Sequence, residues 1–335
     1  MIRAGIIGCG MISKVRHAPE YTANPKCELA GMFDAIPGRA DALSAQFGGR
    51  VYETLDDMLN DPSIDAVSIC TANVTHAELS IRALNAGKHV LCEKPMATTT
   101  AEAEAMVDAA KLNGKILMIA HNQRLAPAHV LAKQILDSGK LGRVLSFQST
   151  FSHGGPEVWL KQRQGTSNNV WFFENNQSVF GVLGDLGVHK ADLICWMLND
   201  EVEEVKAFTA TLDKRQGDGT PVSVEDNAAI ILRFRSGAIG TISSSWTSYG
   251  IEDNSTTLNC EKGVLQIYRG EAQLREILAD GTIHEYNPGA IQTNKMQTSS
   301  GVIDLFIEGI ENGESPISGE DGLRALKIVE RALAN

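Results

Sequence analysis

The chain has no run of Lys or Arg, no C-x-x-C pair, few aromatics (6%) and no apolar stretch long enough to span a bilayer. Each absence closes off a class of function. With 30 basic against 41 acidic residues the formal charge is −11. A nucleic-acid binder needs a positive face to displace counterions from phosphates, so nucleic acid and anionic membrane are excluded as partners. Cys9, Cys27, Cys70, Cys92, Cys195 and Cys260 are widely spaced, which gives no zinc-knuckle or redox motif. Several sit in apolar runs such as Ser68-Ile69-Cys70, the pattern of reduced, buried thiols. No H-x-x-x-H or H-E-x-x-H pattern offers a metal site. Met1-Ile2-Arg3-Ala4-Gly5 carries no cationic leader, and the expected compartment is the cytoplasm.

What is present is an ordinary globular composition, 43% hydrophobic and 21% charged, over 335 residues, which argues for two domains. The first 120 residues alternate short β-branched runs with longer helical patterns. Strands are expected at Ile2–Ile7, Glu28–Phe33, Ala66–Cys70, His89–Cys92 and Ile116–Ala120, reading as continuous apolar runs buried on both faces. Helices are expected near 12–23, 38–47, 54–60, 75–86 and 99–113. Thr75-His76-Ala77-Glu78 and Thr99-Thr100-Ala101-Glu102 both read as capping boxes, and Gly87 and Gly114 as left-handed stops. This alternation predicts a doubly wound parallel sheet over 1–121.

After residue 121 the texture changes. A helix is expected at 127–138, then alternating strands Arg143–Phe151, Val202–Leu212, Asp226–Phe234, Ala238–Trp246, Thr256–Asn259 and Gly263–Tyr268. Helices near 185–198 and 320–333 complete a second α/β domain, 122–335, built on a mainly antiparallel sheet. The last helix is expected to pack back on the first domain. The polar stretches Gln162–Asn169 and Gln216–Pro221 read as loops.

The first strand runs into Gly8-Cys9-Gly10-Met11-Ile12-Ser13, a G-x-G-x-x-S. In a dinucleotide fold the first glycine makes the tight turn. The second lets the backbone approach a pyrophosphate, and the helix opening at Met11 and Ile12 turns its positive end toward it. The second strand ends at Asp34, placed for the ribose hydroxyls and repulsive to a 2′-phosphate. NAD is therefore favoured, with NADP as the alternative because Arg39 follows closely.

Three further segments carry a resemblance: Thr71-Ala72-Asn73-Val74-Thr75-His76, Ala86-Gly87-Lys88-His89-Val90-Leu91-Cys92-Glu93-Lys94-Pro95, and Gly184-Asp185-Leu186-Gly187-Val188-His189. In this order and spacing they resemble the glucose–fructose oxidoreductase/inositol dehydrogenase (Gfo/Idh/MocA) family. The resemblance implies a Rossmann domain followed by a domain whose open antiparallel sheet forms a homodimer or homotetramer. It also implies that Thr71, Asn73 and His76 line the nicotinamide half of the cofactor site, and that Glu93 and Lys94 stand beside it. It allows a cis Lys94–Pro95 bond. The chain departs from the family at Thr71-Ala72-Asn73, where T-P-N is usual, and in Val179–Gly184, which lacks the usual glycines.

Asp185 and His189, four apart, would share a helix face. An imidazole titrating near neutrality suits a proton acceptor, and a lysine ammonium can stabilise a developing alkoxide. The expected roles are His189 as base, Lys94 as electrostatic activator and Asp185 as orienter. Asn122, Gln123 and Arg124 follow the last Rossmann strand and are candidates for substrate. So are Trp159, Lys161, Arg163, Trp171, Glu174, Asn175 and Asn176, whose aromatic faces, amides and charges suit a small polyhydroxylated ligand. The expected reaction is oxidation of a secondary hydroxyl on a sugar, sugar derivative or cyclitol. The alternatives are a dihydrodiol or nucleotide-sugar dehydrogenase, a glycoside hydrolase using NAD in a transient oxidation, and a non-catalytic NAD-binding regulator.

Overall fold

The computed structural model describes residues 1–158, 170–290 and 299–334. The chain divides into two compact units. The first holds Met1–Asn122 and a later stretch ending at Leu323; the second holds most of what lies between, from Gln123.

The first unit carries a six-stranded sheet, every pair parallel, in the order β3-β2-β1-β4-β5-β6. The strands are β1 (Ile2–Ile7), β2 (Cys27–Phe33), β3 (Arg50–Val51), β4 (Ala66–Ile69), β5 (His89–Cys92) and β6 (Leu117–Ile119). β4 is buried at all four positions, which explains its unbroken apolar run. The helices between are α1 (Ala18–Ala23), α2 (Arg39–Phe47), α3 (Leu55–Asn60), α4 (Asn73–Asn85) and α5 (Thr100–Asn113). The Thr99 capping box is present, with Glu102 reciprocating. The one expected at Thr75 is not: α4 starts two residues earlier, at Asn73, and the Thr75 hydroxyl donates to the Ala72 carbonyl instead. Thr75 is thus inside the first turn, where a hydroxyl bonds backward to a carbonyl rather than forward to a free N–H.

The second unit carries an eight-stranded sheet, β14-β13-β12-β11-β7-β10-β9-β8, antiparallel except where β7 pairs with β10. Its strands are β7 (Val144–Ser152), β8 (Val202–Ala210), β9 (Asn227–Phe234), β10 (Ile239–Ser245), β11 (Thr256–Cys260), β12 (Gly263–Ile267), β13 (Leu274–Leu278) and β14 (Ile283–Tyr286). Helices α6 (Pro127–Asp137) and α7 (Val188–Leu198) pack on one face of it. The other face exposes Phe208 (89%), Ile231 (57%) and Ile239 (52%). The parallel and mainly antiparallel sheets are the expected fold class.

Four elements escaped the sequence reading: β3, β13, β14 and a helix α8, Val302–Asn312. β13 is disguised by Glu276, which takes a fully buried strand position. Its charge is met by Lys140 at 2.7 Å and the Tyr286 hydroxyl at 3.2 Å. α8 does show helical spacing, with Val302, Ile303, Phe306 and Ile307 all buried, and it runs from Gly301 to Gly313, both in left-handed conformation. The final helix, α9, is Gly319–Leu333. No helix among the described residues is long and apolar enough to cross a membrane.

Candidate active site

In the first unit the strand order reverses between β1 and β4, the place where doubly wound sheets receive ligands. The glycine loop follows β1 and Thr71 follows β4. Gly8 has φ +92°, and a Cβ there would meet the Cys70 carbonyl oxygen at 2.7 Å and Thr71 Cγ2 at 2.8 Å. Only glycine fits. Gly10 differs: a Cβ there would meet nothing within 4 Å, so the backbone faces open space. That is the cradle a pyrophosphate needs. The helix beyond opens at Met11 and Ile12 and contains a π-turn, Ser13–His17, in which the Ala18 N–H reaches the Ser13 carbonyl. Asp34, partly exposed, accepts the Cys9 N–H at 2.7 Å and the Ile36 N–H at 2.8 Å, so the acid sits directly against the glycine loop. The residues present fit a dinucleotide.

The Glu93-Lys94-Pro95 turn lies at the end of β5, and its Lys94–Pro95 bond is cis. His76 is buried, with Nδ1 2.7 Å from the Pro95 carbonyl oxygen and Nε2 3.1 Å from that of Thr71. A neutral imidazole donates only one of these bonds, and the shorter one favours Pro95. Burial holds the His76 pKa below its ordinary value, against the pull of both carbonyls. Asn73 is buried at the start of α4, while Thr71 and Lys94 are half-exposed. Thus His76 clasps the turn to the end of β4, and Thr71 and Lys94 keep part of their surface exposed there.

In the second unit the segment around Asp185 is a second π-turn, Leu183–Gly187, running into α7. The Val188 N–H reaches the Leu183 carbonyl. Such turns recur at functional sites because they re-aim side chains without ending a helix. Asp185 thus lies in the π-turn and His189 in the first turn of α7, so the four-residue spacing runs through a turn wider than an α-turn. Trp246, fully buried just past β10, donates its indole N–H to Asp185 Oδ2 at 3.0 Å. His153 Nε2 is 3.9 Å from the same oxygen. The Gly155 N–H donates to His153 Nδ1 at 2.9 Å, so neutral His153 carries its proton on Nε2, toward the carboxylate. The Phe151 ring lies 5.9 Å from His189 and 6.0 Å from His153.

Two adjacent acids hold this arrangement. Glu225 Oε1 accepts the N–H groups of Gly181 and Leu183, both at 3.0 Å, and its backbone carbonyl accepts that of Val182 at 2.8 Å. Burial raises the Glu225 pKa. Asp226 accepts three backbone N–H groups, from Leu212, Asp213 and Lys214, at 2.7–2.8 Å, and its carbonyl accepts the Trp246 N–H at 2.9 Å. Trp246, His153, Glu225 and Asp226 were all missed as site residues. The only sequence signal was a pair of acids opening an apolar strand. Trp246→Phe keeps an aromatic ring but removes the donor to Asp185 and leaves a small cavity. Steady-state kinetics should show turnover down about tenfold, with the melting temperature lowered by a few degrees; unchanged turnover would separate Trp246 from the reaction.

Among the other candidates, Arg124 forms a buried bidentate pair with Asp192 at 2.6 and 2.8 Å, within the second unit. Asn122 is partly exposed, and Gln123 is buried. Trp171 opens a short 3₁₀ turn with its ring 4.0 Å from that of Phe172. Trp159, Lys161 and Arg163 lie outside the described residues, as does the loop Gln162–Asn169. Glu174, Asn175 and Asn176 follow the 3₁₀ turn at the surface.

Next to His189, Lys190 is fully buried and donates to the Asn254 carbonyl at 3.1 Å. Burial pushes its ammonium down to about 7. His129, also fully buried, donates from Nδ1 to the Gln123 carbonyl at 2.7 Å. Burial and then the Lys190 charge push His129 down to about 3. A folded pKa below the unfolded 6.5 means the unfolded chain takes the proton first, so this stability is intact above pH 6.5 and is lost as pH falls toward 3. His129→Asn, which keeps a donor for Gln123, should remove about 2 kcal/mol of the pH dependence between pH 7 and 5 in urea unfolding. Parallel parent and variant curves would contradict it.

Comparison with known proteins agrees with this architecture. Residues 2–121 match the model of an oxidoreductase family with an NAD-binding Rossmann fold, and 129–266 match the GFO/IDH/MocA C-terminal domain. The chain is 32% identical to a levoglucosan dehydrogenase of Pseudarthrobacter phenanthrenivorans over 74% of its own length and 68% of the relative's. It is 29% identical to an inositol 2-dehydrogenase of Rhizobium meliloti over 99% and 96% of the two chains. Among solved structures, a levoglucosan dehydrogenase in complex with NADH superposes with a TM-score of 0.87 at 26% identity, covering 99% of this chain and 96% of that one. An aldose–aldose oxidoreductase from Caulobacter crescentus complexed with glycerol gives 0.84 at 27% identity, with the same coverage. The chain therefore belongs to the Gfo/Idh/MocA family and is an NAD-dependent oxidoreductase.

Proposed function

We propose that this enzyme oxidises one secondary hydroxyl of a sugar, sugar derivative or cyclitol. The observation that carries the reading is the Asp185 carboxylate, gripped by the Trp246 indole at 3.0 Å with His153 beside it and His189 one turn on. A carboxylate and imidazoles on an aromatic floor suit a ligand rich in hydroxyls. Bound NAD supplies the hydride acceptor. The residues that would hold it are Gly8, Gly10 and the helix opening at Met11 and Ile12 for the pyrophosphate, Asp34 for the ribose, and Thr71 and Lys94 for the nicotinamide end. His189 accepts the hydroxyl proton, Lys94 stabilises the alkoxide as it forms, and Asp185 orients the substrate or the imidazole. The names of the relatives, which cover levoglucosan, inositol and 1,5-anhydrofructose chemistry, support this substrate class.

The test follows nicotinamide absorbance with NAD and NADP offered separately against cyclitols, aldoses, anhydrosugars and glycosides. Turnover with one polyol and preference for NAD is expected. Glycoside cleavage without release of NADH would replace the dehydrogenase with a hydrolase, and NADH binding without any turnover would favour a regulator.

We further propose a homodimer or homotetramer formed through the open sheet face, because Phe208, Ile231 and Ile239 are large, apolar and exposed there. Sedimentation of Ile231→Glu should give a smaller species than the parent. The buried cysteines suit a reducing compartment, the cytoplasm, which cell fractionation checks.

A further inference from the structure

Behind the Glu93-Lys94-Pro95 turn lies a buried polar chain that the reaction as described does not use. Glu93 Oε1 is 2.9 Å from His17 Nε2 and 3.4 Å from Arg16 Nη1, while Oε2 accepts the Lys94 backbone N–H at 3.3 Å. His17 Nδ1 is 3.0 Å from Ser68 Oγ, which is 2.8 Å from the Tyr21 hydroxyl. His17, Ser68 and Tyr21 are 0% exposed, Arg16 4% and Glu93 7%. Burial raises the Glu93 pKa, but the His17 bond and the Arg16 charge outweigh it and hold the carboxyl at about 2.

The donors and acceptors fix a direction. An ionised carboxylate only accepts, so His17 Nε2 carries a proton. The His17 Nδ1 lies against Ser68 Oγ, and Ser68 against the Tyr21 hydroxyl, so both ring nitrogens have a partner. A buried network whose members are paired favours the geometry that keeps them paired. Its output end is the backbone of the residue read above as the electrostatic activator. The π-turn Ser13–His17 is the local distortion that brings both Arg16 and His17 to the same carboxylate.

We propose that His17 is a positioning residue: its Nε2–H pins the Glu93 carboxylate, which in turn holds the Lys94 main chain so that the ammonium is aimed at the reacting hydroxyl. This rests on the role given above to Lys94. The test compares two amides of equal polarity. His17→Gln carries an amide nitrogen at the reach of Nε2 and keeps the donor to Glu93. His17→Asn reaches only as far as Nδ1 and loses it. Deuterium exchange on the full-length protein reads the Lys94 amide, and kinetics use the best polyol of the panel. For His17→Asn the Lys94 amide is expected to exchange about tenfold faster and turnover to fall about tenfold or more, with NADH affinity near the parent's. His17→Gln is expected to restore both. Parent-like exchange and turnover in His17→Asn overturns the proposal, and so does equal impairment in both variants, which would make the imidazole itself the requirement. Lys94→Ala runs alongside. If it retains turnover, the role of Lys94 fails, while the exchange result still decides whether His17 holds the turn.

Discussion

His189→Ala is expected to lower turnover by roughly 10²–10⁴-fold, the range a positioned general base contributes, while NADH affinity stays within a few-fold of the parent. His189 is 8% exposed at the first turn of α7, packed beside the Phe151 ring, and follows a π-turn that carries Asp185. Its helix belongs to the second unit, whereas the glycine loop and Asp34 belong to the first, which is why the two readouts should separate. The limb of the pH–rate profile that reports the base should also vanish in the variant, leaving a slow, flatter dependence. Steady-state kinetics and fluorescence titration with NADH measure both quantities. If turnover survives within threefold, the proton acceptor is a group other than His189.

The sequence made the cofactor half readable because its signals are local. Gly8, Gly10, Asp34 and the Glu93-Lys94-Pro95 run each act within a few residues of a strand end. The strand–helix alternation that frames them is a pattern of period, which a single chain displays. The second half was less legible for the opposite reason. Its site is assembled from partners far apart in sequence: Trp246 reaches Asp185, and Glu225 reaches Gly181 and Leu183. No spacing rule joins those positions. The same holds for His17, which reads as an ordinary helical residue until Glu93 is found 2.9 Å away. β13 was hidden because Glu276 breaks the alternation, and only the approach of Lys140 and Tyr286 explains an acid there. The capping box at Thr75 failed in a related way, since a helix start depends on which residue first satisfies its N–H groups. The departure from the family at Val179–Gly184 was visible, but its consequence was not: Val179 sits at φ +65°, a left-handed conformation strained for a β-branched residue, immediately before the segment that carries Asp185.

That segment also gives the largest expected loss of stability. A Cβ on Gly181 would stand 1.9 Å from the Glu225 carbonyl oxygen and 2.9 Å from its backbone carbon and nitrogen. None of these is the end of a flexible side chain, so the backbone itself must part. Parting breaks the Val182 N–H bond to that carbonyl and pulls Gly181 and Leu183 off Glu225 Oε1, which leaves a buried carboxylate without two of its donors. Each lost buried bond costs about 1–3 kcal/mol, so Gly181→Ala should destabilise the second unit by roughly 3–5 kcal/mol. At a few degrees per kcal/mol for a domain of this size, the corresponding thermal transition should fall by about 10 °C. Turnover should be lost with it, because Asp185 rides on the displaced turn. The first unit provides the internal control: the glycine loop and Asp34 are untouched, so NADH binding below the transition should persist. Gly10→Ala, where a Cβ meets nothing within 4 Å, should do the reverse, melting like the parent while binding NADH weakly. If Gly181→Ala melts with the parent, then the Glu225 carbonyl can retreat without cost, and the lock on Asp185 does not depend on it.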